Sequence, residues 1–102
     1  MKKIDAIILN KNDNVATSLK KLNSNEKIIL KIEDNFVHFT VKDSIKIFHK
    51  FSLKIIKKGD KIIKYGEVIG IATKEIKKGN HVHINNITSL RDQSIHQKKF
   101  LD

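Results

Sequence analysis

The chain of 102 residues is long enough for one domain with a modest hydrophobic core, and too short to enclose a deep active site alone. It has no cysteine, which excludes disulfides and thiolate metal sites. The net charge of +10 favours anionic partners, but Arg91 is the only arginine, and the five Phe and one Tyr form no RNA-binding motif. We therefore predict a solvated lysine surface that attracts carboxylates, and no nucleic-acid binding.

The N-terminal region bears on where the protein works. Its apolar stretch covers residues 6–9, which is too short for the apolar part of a signal peptide or for a membrane span. The expectation is a soluble, cytoplasmic protein without membrane attachment.

The first half of the chain predicts a strand and a hairpin. Residues 4–9 are apolar enough to form a strand. Residues 27–32 and 36–41 are β-rich runs around a short polar turn, which is typical of a hairpin. The polar tail from residue 89 to 102 is predicted to be flexible or to be ordered by a partner.

A helix is predicted between these elements. Apolar residues recur at positions 15, 19 and 22, which is helical spacing, so residues 15–22 are expected to form one short amphipathic helix. Asp13 or Asn14 is placed to cap it with a side-chain oxygen.

The second half contains a repeat. Residues 56–59 and 76–79 both read Ile-Lys-Lys-Gly, and each is followed by a polar residue and a β-rich run. Glycine permits the positive φ that a tight turn before a strand often needs. We expect two similar turn-strand units that pack with approximate two-fold symmetry.

The segment from His81 to Asn85 is the most informative for chemistry. Side chains alternate along a strand, so His81, His83 and Asn85 are expected on one face, with Val82 and Ile84 on the other. Two imidazoles at that spacing can converge on a metal ion or an anion. An exposed strand face that carries histidines by chance is the alternative.

Two further groups suit a carboxylate ligand. The pair His49-Lys50 joins a titratable imidazole to a cation. Lys64, Tyr65 and Gly66 join a cation, a phenol and a flexible residue. Ordinary surface or half-buried positions remain the alternative for both groups.

These segments, taken in order, resemble the N-terminal domain of altronate dehydratases. The same domain opens galactarate dehydratase and forms the small subunit of sulfolactate sulfo-lyase. The matching segments are residues 13–17, 49–53, 56–59, 63–72 and 76–83, together with Asn86. Two residues depart from the family pattern, since Phe48 replaces a common glycine and Asn85 replaces a frequent third histidine.

The resemblance implies one SAF-type domain over residues 1–102, with a β-clip fold that is mostly β with short helices. It also implies a hydroxy-acid lyase of sugar-acid metabolism that works with a larger catalytic chain. A divalent metal, such as Fe²⁺, is expected mainly in that partner. The isolated chain is predicted to fold without lyase activity, and a homo-oligomer is left open.

The resemblance also assigns roles within the shared site. His81, His83 and His49 are the predicted catalytic groups, and His81 and His83 are the predicted metal ligands. Lys50, Lys64 and Tyr65 are predicted to bind the sugar-acid carboxylate. Two alternatives stay open: a non-catalytic module that binds sugar acids, and the small subunit of a sulfolactate sulfo-lyase. The acid and the leaving group, water or sulfite, are not fixed by the sequence.

Overall fold

The computed structural model describes residues 3–89, and within that range every regular element is a β-strand. In chain order the strands are β1 (Ala6–Ile8), β2 (Val15–Ser18), β3 (Lys27–Ile32), β4 (Asn35–Thr40), β5 (Lys50–Ser52), β6 (Lys61–Lys64), β7 (Glu67–Ala72), β8 (His81–Val82) and β9 (Ile87–Ser89). The mostly β prediction is confirmed, as are the first strand and the β3–β4 hairpin. The tail prediction concerns residues that lie largely outside the described range.

Two sheets make up the described part of the chain. The larger has the order β4-β3-β1-β2-β5-β8, and the smaller has the order β6-β7-β9. The pairing of β1 with β3 is parallel, and the other pairings are antiparallel. No helix that could span a membrane is found among residues 3–89.

The helix predicted over residues 15–22 is wrong, because Val15–Ser18 is strand β2. All four residues of β2 are buried, since the strand lies between β1 and β5 inside the sheet. The apolar residues that suggested a helix do not share a face. Val15 packs in one hydrophobic cluster and Leu22 in the other, whereas Leu19 is exposed.

The two predicted helix caps hold the sheets together instead. Asn14 lies just before β2, and its side chain accepts a hydrogen bond from the Ile63 amide at 2.7 Å and donates to the Lys61 carbonyl at 2.8 Å. Asp13 Oδ1 accepts from the Gly66 amide at 2.8 Å. The β6–β7 hairpin is therefore fastened to the larger sheet by two buried polar side chains.

The repeat seen in the sequence is half of a fourfold pattern. Four turns share a backbone hydrogen bond from the fourth residue to the first and a residue with positive φ in between; their positive-φ residues are Asn25, Phe48, Gly59 and Gly79. The Ile-Lys-Lys-Gly segments face each other as predicted, because Ile56 and Ile76 exchange two backbone hydrogen bonds of 2.8 Å. Leu22 and Ile45 exchange bonds of 2.8 and 2.9 Å beside the other two turns.

The hydrophobic core has two clusters. One is built around Phe51 and Leu30 of the larger sheet, and the other fills the space between that sheet and the β6–β7 hairpin around Ile62 and Val82. Phe51 and Val82 anchor β5 and β8, so the residues that flank these two strands are fixed in place.

Candidate functional site

Three histidines converge where β5 and β8 pair. His49 precedes β5, His81 opens β8 and His83 follows it. Antiparallel pairing places Phe51 opposite His81 and Lys50 opposite Val82, which brings the two histidine-bearing ends together. One potential ligand nitrogen from each histidine lies within 4.8 Å of the other two.

The rings form a tight and nearly parallel group. Their centroids are 5.1 Å apart for His49 and His81, 4.5 Å for His49 and His83, and 5.3 Å for His81 and His83. Nδ1 of His49 lies 2.9 Å from Nε2 of His81, so one nitrogen donates a proton to the other. All three side chains are half-buried, which leaves the group open to a ligand from one side.

Buried polar side chains fix the backbone that carries two of these histidines. Asn86 accepts from the His83 amide at 2.9 Å and donates to the His81 carbonyl at 2.7 Å, so it spans both ends of β8. Asp43 Oδ2 accepts from the His81 amide at 2.8 Å and from the Asn80 side chain at 3.1 Å. Asp43 was not anticipated from the sequence, because nothing local marks a residue 38 positions away as a partner of His81.

The surroundings favour neutral imidazoles. Burial lowers the pKa of His49, and the nearby His83, Lys46 and Lys50 act in the same direction. Burial also lowers the pKa of His81, with further contributions from His49 and His83 that outweigh the opposing Asp43. A neutral imidazole keeps a free lone pair for a metal ion or a proton.

The predicted carboxylate-binding residues lie beside this group. Lys50 is half-buried, and burial followed by the charge of Lys64 lowers its pKa. The Lys64 ammonium lies 4.9 Å from the Tyr65 ring centroid, and the Tyr65 hydroxyl is 3.5 Å from Thr17 Oγ1 on β2. Lys50 acts electrostatically on His49, His81 and Lys64, so it links the histidines to the second cation.

Asn85 does not join the histidines on a strand face as predicted. Strand β8 ends at Val82, and Asn85 lies in the following turn. It lines an open polar groove of about 330 Å³ together with Asp43, Asn80, His81 and Asn86. His49 takes the third position instead, and it enlarges the predicted two-histidine donor set to three.

The donor set fits a divalent metal ion of the zinc or ferrous type. Three imidazole nitrogens and an open side match the pattern of sites that keep a coordination position for substrate or water. Ligand nitrogens around such an ion are separated by about 3.4 Å, which follows from metal–nitrogen bonds of about 2.1 Å. The nitrogens here begin at 2.9 Å and all lie within 4.8 Å, so small side-chain shifts suffice. Within residues 3–89 no other trio of His, Asp or Glu side chains meets this criterion, and Glu67 and Glu75 remain outside the group.

Comparison with known proteins shows which family the chain belongs to. The model of the altronate/galactarate dehydratase SAF domain matches residues 4–90. The altronate dehydratase of Bacillus subtilis is 39% identical over 87 residues, which are 84% of this chain and 17% of that protein. The altronate dehydratase of Escherichia coli is 38% identical over 93 residues, which are 88% of this chain and 18% of that protein.

Two shorter relatives match a larger share of their own length. The subunit alpha of (2R)-sulfolactate sulfo-lyase from Paracoccus pantotrophus is 44% identical over 52 residues, 51% of this chain and 78% of that subunit. Its counterpart from Chromohalobacter salexigens is 36% identical over 59 residues, 58% of this chain and 63% of that subunit. The chain therefore spans less than a fifth of the altronate dehydratases but most of the Paracoccus subunit. With a family model that covers nearly all of the described fold, this chain belongs to the SAF domain family of altronate and galactarate dehydratases.

Proposed function

We propose that the chain is the small subunit or N-terminal module of a hydroxy-acid lyase, and that it completes an active site on a larger catalytic chain. The observation that carries the proposal is the group of His49, His81 and His83 at the edge of the larger sheet. The relatives support the reaction class, since their names are those of a dehydratase and a sulfo-lyase subunit.

The residues divide into two tasks. The three imidazoles bind a divalent metal ion or move a proton, and a metal ion bound there would stabilise negative charge that develops on the substrate. Lys50 and Lys64 hold the substrate carboxylate through their positive charge, and Tyr65 supports Lys64. The chain provides no enclosed pocket at this site, so the catalytic chain is needed to exclude water.

The leaving group separates two versions of the proposal. A dehydratase removes water, as the names of the Bacillus and Escherichia relatives indicate for those proteins. A sulfo-lyase removes sulfite, and the match to 78% of the Paracoccus subunit alpha supports this second version. We place the function in the cytoplasm, where sugar acids and sulfonates would be metabolised.

Reconstitution tests the proposal. The chain is co-expressed with the large lyase chain from the same genome, and turnover of altronate, galactarate and sulfolactate is measured. We expect activity only when both chains are present, and the preferred acid identifies the leaving group. His83→Gln should reduce turnover at least about a hundredfold, by the loss of a metal ligand or proton carrier.

A second variant controls for the general effect of a surface substitution. Lys58→Gln changes an exposed lysine outside the histidine group and should leave turnover unchanged. Full activity of the His83→Gln complex would refute the assignment of the site. Tight binding of sugar acids by the isolated chain, without turnover in the complex, would favour the non-catalytic binding module.

A further inference from the structure

The two hairpins of the fold are built alike. In the first, Lys27 lies opposite Thr40 and Ile28 opposite Phe39. In the second, Lys61 lies opposite Ile71 and Ile62 opposite Gly70. Each hairpin follows one of the four turns and ends at another, so β4 and β7 are equivalent strands in the two halves.

The outer edges of these equivalent strands differ. Strand β9 pairs with β7, with Ser89 opposite Gly70 and Thr88 opposite Ile71, and the pairing continues through a bond from the Thr73 amide to the Asn86 carbonyl. At the equivalent place beside β4, the Lys42 amide bonds to the Gly79 carbonyl at 2.9 Å. Among residues 3–89, no strand pairs with the outer edge of β4 beyond that point.

A groove of about 350 Å³ lies along this edge. Its lining residues are Lys27, His38, Phe39, Thr40, Lys42 and Lys78. Three of the six are lysines from separate segments, and none is acidic. The Lys78 ammonium lies 5.5 Å from the centroid of the Phe39 ring, which places that charge over the groove.

The backbone of β4 offers hydrogen bonds toward the groove. The Val41 amide bonds to the Glu26 carbonyl on the side of β3, so backbone groups alternate and those of His38 and Thr40 point away from β3. An extended peptide can add to such an edge as another strand. Edge strands are usually protected by charge or proline, whereas residues 35–41 contain neither.

We propose that the edge of β4 binds an extended, acidic segment of a partner protein as an added strand. The three lysines select carboxylates on the side chains of that strand, and the backbone of β4 supplies the pairing. The charge argues against a second copy of this chain as the occupant, because a net charge of +10 on each copy brings lysines against lysines. The proposal does not depend on the lyase function, since the groove contains none of the three site histidines.

A defined peptide tests the proposal with the full chain. The probe is a short, fluorescein-labelled peptide of alternating glutamate and valine, followed by fluorescence anisotropy, and amide hydrogen exchange locates its binding. We expect saturable binding with new protection of the His38 and Thr40 amides. A peptide with proline at alternate positions has the same charge but cannot pair with an edge strand, and it should bind at least about tenfold more weakly.

Two matched variants distinguish binding of the peptide in the groove from general attraction to the positive charge of the protein. Lys78→Glu and Lys58→Glu make the same change at the same position of the two Ile-Lys-Lys-Gly turns, but only Lys78 lines the groove. Lys78→Glu should weaken peptide binding about tenfold, and Lys58→Glu less than about twofold. Equal losses in the two variants, equal binding of the proline peptide, or no binding at all would overturn the proposal.

Discussion

His49 and His81 share a hydrogen bond of 2.9 Å between ring nitrogens, although 32 positions separate them in the chain. The bond exists because β5 and β8 are neighbours at the end of the larger sheet. It sets the tautomers of both rings in the metal-free protein, since one nitrogen must carry the proton and the other must accept it.

Metal binding should depend on His49 as much as on the predicted ligands. His49→Phe keeps an aromatic ring for stacking but removes the nitrogen, and it should weaken Co²⁺ binding at least about tenfold, as loss of one ligand from three does. Absorption spectra during a Co²⁺ titration give the affinity. His38→Phe is the control on β4, and equal affinity in the His49 and His38 variants would exclude His49 from the site.

The pH dependence of this binding follows from the lowered pKa values. Burial keeps His49 and His81 neutral at pH values where an ordinary histidine, with a pKa of about 6.5, is already protonated. Co²⁺ binding should therefore persist below a pH of about 6.5 and be lost on further acidification, when the histidines become protonated. A midpoint above the ordinary value would show that the histidines are not shielded in this way.

Asn86 should position the histidines without contacting a ligand. Its side chain spans the His81 carbonyl and the His83 amide, so Asn86→Ala releases both ends of β8. We expect Co²⁺ affinity to fall about tenfold to a hundredfold. Asn86→Asp retains the acceptor for His83 and should lose less, and this ordering distinguishes positioning from general unfolding, which circular dichroism monitors.

Phe48 occupies a turn position that suits glycine. Its φ is 67°, and its side chain is 66% exposed, so little buried area offsets the unfavourable backbone conformation. Phe48→Gly should raise the free energy of unfolding by about 1 kcal/mol in urea denaturation. Gly59→Ala introduces the same conflict at φ 91° without a steric clash and should lower stability by about 1 kcal/mol. A lower free energy of unfolding for Phe48→Gly would mean that contacts of the Phe48 ring stabilise the protein by more than the backbone conformation costs.

The sequence predicted only the two turns of the repeat that have glycine at the position of positive φ. The turns at Gly59 and Gly79 were recognisable from their glycines. Phe48 is a residue type that rarely adopts a positive φ, and Asn25 adopts it less often than glycine does, so neither marks its turn clearly. The first two of the four turns were therefore not predicted from the sequence.

The residues of the site were predictable where their type and local sequence pattern suggested a function. His81 and His83 were recognisable from their alternation and His49 from its neighbour Lys50, but their meeting depends on strand pairing that the local sequence does not encode. The helix predicted over residues 15–22 failed for a related reason. Burial of Val15–Ser18 between two strands overrides a weak helical spacing.

Asp5 should link stability to pH. Burial acts to raise the pKa of Asp5, but a hydrogen bond from the Ile29 amide at 2.8 Å and the Lys20 ammonium at 3.1 Å lower it overall. The stabilisation is therefore present above the unfolded pKa of about 3.9 and is lost as the pH falls through the lower folded value. Asp5→Asn should cost about 1 kcal/mol at neutral pH and progressively less in acid. Asp34→Asn, at an exposed turn, is the control for urea titrations, and a pH-independent loss in Asp5→Asn would contradict the charge argument.

Asn14 should decide whether the β6–β7 hairpin stays attached to the larger sheet. Its amide group makes two hydrogen bonds to β6, at 2.7 Å to the Ile63 amide and 2.8 Å to the Lys61 carbonyl. Asn14→Ala leaves both backbone groups without these partners, and each loss costs about 1–3 kcal/mol where the groups are shielded from water. Asn14→Asp still accepts from Ile63 but places a carboxylate against the Lys61 carbonyl, so it should be destabilising to a smaller extent. Hydrogen exchange should show faster exchange across β6 and β7 than across β3 and β4 in Asn14→Ala, because the defect lies at one hairpin. Uniform acceleration in both hairpins would show instead that Asn14 supports the whole fold and that the two sheets unfold as one unit.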